Sequence, residues 1–277
     1  MSIQALKVIH KYLRHNKKFP HVWCPGCGDG IVLGSIIRAF DQLNVQKDDI
    51  IMVSGIGCSS RMPVYVDFNT VHTIHGRALT YATGIKMAKP DKKVVVITGD
   101  GDGLAIGGNH FIHAARRNIG ITTIIINNNI YGMTGGQFSP TTPSGKRGTT
   151  APYGNYENDF NIAELAKAAG ATFIARGTVY HVTQLIDIMK KAFAHDGFAV
   201  VEVISQCPTL YGRLNREGDA VKMMEWQRDH AVNVAAASKM TKEQLKDKFV
   251  IGVLHENNDK IEYSKKYYQL IEQLKEK

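Results

Sequence analysis

The sequence predicts an α/β fold: a doubly wound, mostly parallel sheet with helices on both faces. Three observations predict it. Short apolar runs rich in β-branched residues recur at Ile50–Val53, Val94–Thr98, Thr122–Ile126 and Val200–Ile204. They are continuous rather than alternating, as strands buried on both faces are. Helix-length segments lie between them, and strands alternating with helices build βαβ units. Gly30–Leu43 carries Ile31, Leu33, Ile36, Ile37 and Phe40 at helical spacing. Arg77–Lys89, Leu104–Asn118, Ile162–Ala169 and Val182–Ala194 are the other helix candidates in this body. In such sheets ligands gather at the carboxyl ends of the strands.

Two stretches read differently. Gly132–Asn155 is rich in Thr, Ser, Pro and Gly and is too long for a plain connector, so it is expected to be a functional or partner-covered loop. Residues 208–263 show weaker periodicity, with a helix candidate at Val221–Ser238. Ser264–Glu276 is amphipathic, with Tyr267, Leu270, Ile271 and Leu274 on one face. The expected organisation is a basic segment 1–18, an α/β body 19–207 and an extension 208–277 packed on that body or on a partner.

The chain has 277 residues, 44% hydrophobic and 21% charged, enough for a sizeable core and unlike a disordered chain. No apolar run is long enough to span a bilayer, and the start lacks the apolar region of a secretory signal. A cytoplasmic protein with no membrane partner is expected. The net charge of +9 raises nucleic acid as a partner, but five of the basic groups fall within residues 1–18, which hold no acid. The body is close to balanced, so nucleic-acid binding is set aside.

The strongest motif is KVVVITGDGDGLAIGG followed by ITTIIINNNIYGMTGG. One strand ends in Gly99-Asp100-Gly101 and the next in Asn127-Asn128-Asn129. The 25 residues between Gly101 and Asn127 suffice for a crossover helix and a strand, so Asp100 and Asn128 can meet at adjacent strand ends. A carboxylate, an amide oxygen and a nearby carbonyl make a hard oxygen site that suits Mg²⁺ alongside phosphates. Glycines let backbone N–H groups approach a phosphate. The spacing is neither a dinucleotide fingerprint nor a P-loop. It resembles the thiamine diphosphate-binding motif, which begins with GDG and ends with NN.

Four cysteines stand in Trp23-Cys24-Pro25-Gly26-Cys27-Gly28, Gly57-Cys58-Ser59 and Gln206-Cys207-Pro208. Cys58 and Cys207 each follow a strand candidate. By spacing alone the four thiols can hold zinc or a [4Fe–4S] cluster, or be free buried cysteines.

Taken together, WCPGCG, GIGCSSR, HTIHGRALTYATGIK, GDGDGLAIGGNHFIHAARRNIG, NNNIYGMTGGQFSPTTP and the late CPT resemble the β subunits of 2-oxoacid:ferredoxin oxidoreductases. The likeness covers roughly residues 15–215 and is strongest to the 2-oxoglutarate branch. It implies that Cys24, Cys27, Cys58 and Cys207 ligate one [4Fe–4S] cluster. It implies that Asp100, the Asn128 side chain and the Ile130 carbonyl bind Mg²⁺. Ile56, Gly57, Cys58 and Ser59 would line thiamine diphosphate beside the cluster. His75, Gly76 and Arg77 would reach its diphosphate or thiazolium end; Gly101 and Asp102 would continue the phosphate turn, and Gly132 and Met133 would close it. His110 and His113 read as structural helix residues.

The implied activity is CoA-dependent oxidative decarboxylation of a 2-oxo acid, run in either direction. Electrons pass through the cluster to ferredoxin, and CoA is the co-substrate. The implied substrate is 2-oxoglutarate, with pyruvate or a branched-chain 2-oxo acid as alternatives. A non-redox thiamine decarboxylase subunit with structural zinc is the rival. No catalytic side chain is assigned in this chain. The pyrimidine-binding domain and its activating glutamate are expected on an α subunit, with γ and δ subunits as further partners. The basic run beside the C-x-x-C turn, Lys17 and Lys18 above all, would suit an acidic ferredoxin.

Overall fold

The computed structural model of the chain describes residues 3–16 and 19–276. Its strands are β1 (Ile50–Ser54), β2 (Asn69–His72), β3 (Lys93–Gly99), β4 (Ile121–Asn127), β5 (Phe173–Thr178), β6 (Ala199–Ile204), β7 (Ala231–Asn233) and β8 (Phe249–Glu256). They form one sheet in the order β2-β1-β3-β4-β6-β5-β8-β7. The first six positions are parallel; β8 runs antiparallel to β5, and β7 parallel to β8. The α/β class expected from the apolar runs is the observed one, and each of the four expected strands is present.

Side-chain alternation along the central strands explains the layers. On β3, Val95 and Ile97 face a core that includes α2 (Asp29–Gln42) and α6 (Val182–Ala194). Val94 and Val96 face the opposite core, with α3 (Ala78–Ala88), α4 (Gly108–Arg117) and α5 (Ile162–Ala169). The seven residues of β4 are all buried, Thr122, Thr123 and Asn127 included, so its sequence does not alternate between a core face and a solvent face. Phe40 on α2 stacks on Phe193 of α6 with ring centroids 4.1 Å apart.

The basic N-terminal segment is partly built into this body. Helix α1 (Ile3–Tyr12) packs against α2, and Tyr12 and Leu13 are buried. Lys11 bonds Asp41 at 3.0 Å, and Arg14 bonds the Val66 carbonyl and the Thr70 hydroxyl. Lys17 and Lys18 lie outside the described residues.

Three expectations need correction. The Leu104–Asn118 helix does not start at Leu104. Residues Gly101–Ile106 form a wide π-type turn, and the regular helix begins at Gly108. The Gly107 N–H reaches the Asp102 carbonyl across that turn, and a Cβ at Gly107 would lie 2.6 Å from the same oxygen. Second, Val221–Ser238 is not one helix. After α7 (Arg213–Asn215), α8 (Ala220–His230) stops where Ala231–Asn233 pairs with Phe249–Ile251 as β7, and α9 (Val234–Ala237) is a single turn. Sheet pairing beyond the helix end overrides local periodicity there. Third, β2, β5, β7 and β8 were not expected as strands. β2 is a half-exposed edge, and β5 carries Arg176, whose Nε donates to Glu202 on β6 at 2.8 Å.

The extension is fastened to the body. Gly120 N–H donates to Glu262 at 2.7 Å, and Asn118 donates to the Lys260 and Ile261 carbonyls. Glu262 also caps α10 (Tyr263–Lys275) through the Lys265 N–H. The apolar face of that helix is only partly covered, since Tyr267, Leu270 and Leu274 are exposed. Among the described residues no helix is long and apolar enough to cross a membrane.

Candidate functional site

The carboxyl ends of β1, β3, β4 and β6 stand in line. Ser54 registers with Ile97, Gly99 with Ile126, and Asn127 with Ile204. Each strand therefore delivers its following residue to one edge: Gly55–Cys58 after β1, Asp100 after β3, Asn128 after β4 and Cys207 beyond β6.

One cavity at this edge, about 40 Å³, is lined by Ile56, Gly57, Cys58, Ser59, His75, Asp100, Gly101, Asp102, Asn128, Ile130, Gly132 and Met133. Those twelve residues come from four separate stretches of chain and are candidates in the sequence; Gly99, Ile126, Tyr131 and Thr134, which are not, complete the lining. Gly57 adopts φ +134°, and a Cβ there would meet nothing within 4 Å, so its bare backbone opens a cradle. Gly101 lies under Tyr131: a Cβ there would come within 2.3 Å of the ring, whose hydroxyl donates to the Gly101 carbonyl.

Asp100 is 2% exposed. Its Oδ2 accepts from Ser139 at 2.7 Å and from Thr141 at 2.6 Å. Burial pushes the Asp100 carboxyl upward, and the two hydroxyls oppose that rise by favouring the charged form. The Asn128 Oδ1 accepts from the Ile130 N–H, and Asn129 adopts left-handed φ +60°, which turns the chain back over the cavity.

Asp102 is the second buried carboxylate. It accepts from Thr98 at 2.6 Å, from the Gly76 N–H at 2.7 Å and from the Ile56 N–H at 3.3 Å, and it holds His75 Nδ1 at 2.5 Å. Its side chain therefore joins three loops rather than facing a phosphate, which a carboxylate would repel. A Cβ at Gly55 would lie 2.1 Å from this carboxylate, so glycine is required there.

The four cysteines line a second cavity of about 240 Å³. Cys24 and Cys27 sit in a tight turn closed by Cys27 N–H to the Cys24 carbonyl at 3.1 Å. Gly26 in that turn has φ +79°, and a Cβ there would strike Ala220. Gln206 ties the turn to the Cys207 segment by donating to the Gly26 carbonyl, and Trp23 Nε1 donates to the Cys58 carbonyl at 2.7 Å. Burial pushes the Cys58 thiol up to about 12 and raises Cys27 and Cys207 as well. Among the described residues no three Cys, His, Asp or Glu side chains converge as the ligands of one metal ion must. The thiols instead ring a space. Cys58, Asn128, Gly132 and Met133 line both cavities, so the two share a wall.

Gly76 does not line the Asp100 cavity and instead gives its N–H to Asp102; Arg77 stays out as well. It is exposed and turns to His110, as the cap residue of α3. Sequence reasoning missed Ser139, Thr141, Tyr131 and Asp29. The first two stand in SPTTP, where paired hydroxyls between prolines were the available signal. Asp29 is fully buried, and burial pushes its carboxyl up to about 7 against the opposing contact of the Cys27 thiol.

Residues 55–203 match the family model of the thiamine pyrophosphate enzyme C-terminal TPP binding domain. The chain is 51% identical over 265 residues to the 2-oxoglutarate synthase subunit KorB of Methanocaldococcus jannaschii, covering 96% of this chain and 97% of that one. It is 44% identical over 200 residues to the 2-oxoglutarate oxidoreductase subunit KorB of Mycobacterium tuberculosis, covering 71% of this chain and 54% of that one. A solved 2-oxoglutarate:ferredoxin oxidoreductase from Magnetococcus marinus, with 2-oxoglutarate, coenzyme A and succinyl-CoA bound, superposes with a TM-score of 0.85. That match is 34% identical and covers 96% of this chain and 90% of the solved chain. The fold and site define a thiamine diphosphate-binding enzyme subunit. The chain belongs to the 2-oxoacid:ferredoxin oxidoreductase β subunits, in the 2-oxoglutarate branch.

Proposed function

We propose that this chain is the cofactor-bearing subunit of an enzyme that oxidatively decarboxylates 2-oxoglutarate to succinyl-CoA and CO₂ and passes the electrons to ferredoxin. One observation carries the reading: Cys58 and Gly132 line both the Asp100 cavity and the four-cysteine cavity. A cofactor that releases electrons and a cluster that accepts them need such a common wall.

The residues fit the implied groups. Asp100, the Asn128 side chain and the Ile130 carbonyl are the proposed Mg²⁺ ligands, an all-oxygen set of the kind this ion takes with a diphosphate. The open space at Gly57, where a Cβ would meet nothing within 4 Å, leaves room for the diphosphate. Cys24, Cys27, Cys58 and Cys207 are the proposed ligands of a [4Fe–4S] cluster. A Cβ at Gly132 would lie 3.3 Å from Cys58 Sγ and 4.0 Å from Cys207 Sγ, so glycine keeps that space open.

When bound, thiamine diphosphate supplies the carbanion chemistry of decarboxylation and the cluster accepts electrons singly. The chain's part is to bind and orient. Asp102 fixes His75 through Nδ1, which leaves Nε2 as the ring nitrogen of this cavity residue that can hold or move a proton. Ile56, Ser59 and Met133 shape the walls around it.

The chain holds part of an active site. A cavity of about 40 Å³ is far below the several hundred Å³ of complete small-molecule sites. Met133 at the cavity, and Ile74 and Ile106 beside His75–Gly76, are exposed apolar groups. They suit an α subunit that closes the site and brings the pyrimidine-binding domain. The M. marinus structure supports 2-oxoglutarate and CoA as the substrates. Iron and acid-labile sulfide analysis after anaerobic purification tests the reading. The expected result is about four of each per chain; zinc in place of iron would overturn it.

A further inference from the structure

The loop that follows β4 carries more than a covering role. Ser139 and Thr141 both donate to one oxygen of Asp100, Oδ2, at 2.7 and 2.6 Å. Those lengths are in the range of charge-assisted O–H···O⁻ bonds. Thr142 donates to the Asn129 carbonyl at 2.6 Å and accepts from the Ser139 N–H at 2.8 Å. Each hydroxyl has a single proton, and this assignment spends all three without conflict. The Ser139–Thr141 and Ser139–Thr142 oxygens, 3.1 and 3.3 Å apart, then make no bond of their own. Asn155 locks the box by donating to the Thr142 carbonyl at 2.8 Å. Ser139, Thr141, Thr142 and Asn155 are all buried, so the box is built and not a surface accident.

The consequence is geometric. The box grips the end of β3 at Asp100 and the end of β4 at Asn129, the two strands that supply the proposed metal ligands. It fixes the Asp100 rotamer by occupying Oδ2, and none of these bonds uses Oδ1.

We propose that Ser139 and Thr141 are positioning residues for the cation site, holding Asp100 by Oδ2 so that Oδ1 is presented to Mg²⁺. This rests on the cofactor reading above. Outer partners that orient a metal-ligating carboxylate are worth roughly 10–100-fold in metal affinity.

The test is a Mg²⁺ titration at saturating thiamine diphosphate, followed by calorimetry, on the anaerobically purified complex with its partner subunit, stripped of both. Ser139→Ala/Thr141→Val is expected to raise the half-saturating Mg²⁺ concentration roughly 10–100-fold. Thr141→Ser, which keeps the hydroxyl, is expected to remain within about threefold of wild type, a rescue that a packing role would not give. Cluster iron content and far-UV circular dichroism are expected to stay unchanged. Should the double variant not fold, Thr141→Val alone, nearly isosteric, carries the comparison with Thr141→Ser. Folded hydroxyl-free variants with wild-type Mg²⁺ half-saturation would overturn the positioning role. A wild-type complex that takes up no Mg²⁺ or thiamine diphosphate would overturn the cofactor reading instead.

Discussion

His75 Nδ1 lies 2.5 Å from Asp102 Oδ1, and the same carboxylate takes the Gly76 N–H, the Ile56 N–H and the Thr98 hydroxyl. A single buried charge thus sets the ring orientation of the one histidine at the cavity and the spacing of the loops beside it. The two functions separate by substitution. Asp102→Ala leaves several buried donors unpaired, at about 1–3 kcal/mol each, so a clear fall in Tm is expected. His75→Ala removes a half-buried side chain and is expected to leave Tm within a few degrees while lowering turnover of the assembled enzyme ~10²-fold or more. Thermal melts and viologen-coupled rates on the same preparations check both.

Gly132 separates the two cavities. Gly132→Ala brings a Cβ to 3.3 Å from Cys58 Sγ, closer than most such contacts. The expected outcome is a folded chain with substoichiometric iron after anaerobic reconstitution. Gly26→Ala acts earlier: it meets Ala220 at 2.4 Å and forces an L-residue to φ +79°. It is expected to lower both cluster content and Tm, with a strain of about 1–2 kcal/mol as the minimum.

Asp29 makes the cluster-free chain pH-sensitive. Burial raises its carboxyl from 3.8 to about 7. The native state then binds the proton more tightly than the unfolded state, so stability falls as pH rises between those values. The slope is at most about 1.4 kcal/mol per pH unit. Asp100, also raised, adds in the same direction. Melting the metal-free chain from pH 4.5 to 8 is expected to show this decline, and Asp29→Asn is expected to flatten part of it.

Glu262 fastens the C-terminal extension through Gly120 N–H and the α10 cap. Glu262→Ala leaves the half-buried Gly120 N–H unpaired and removes the cap, about 1–3 kcal/mol together. Faster proteolysis within 257–276 at unchanged cluster content is expected, read by mass spectrometry of timed digests.

The apolar runs made the central sheet legible, because β3, β4 and β6 are buried on both faces and have no polar alternation to obscure them. The site was legible through its turn residues: Asp100, Asn128 and the four cysteines follow strands whose ends the register aligns. Three features were not. The β8 and β7 strands depend on pairing with β5 and with each other, which local pattern does not encode. Arg77 reads as a site residue from its neighbours but caps α3 and faces His110. The Ser139 and Thr141 hydroxyls act across about forty residues of sequence, a distance over which spacing carries no signal.

The most direct measurement is anaerobic methyl viologen reduction by this chain assembled with its partner subunit, with 2-oxoglutarate and CoA supplied singly and together. Reduction only when both are present, and its loss in Cys207→Ser, is the expected result. CO₂ release from 2-oxoglutarate with no electron transfer to viologen, from a fully assembled and thiamine diphosphate-loaded complex, would contradict it.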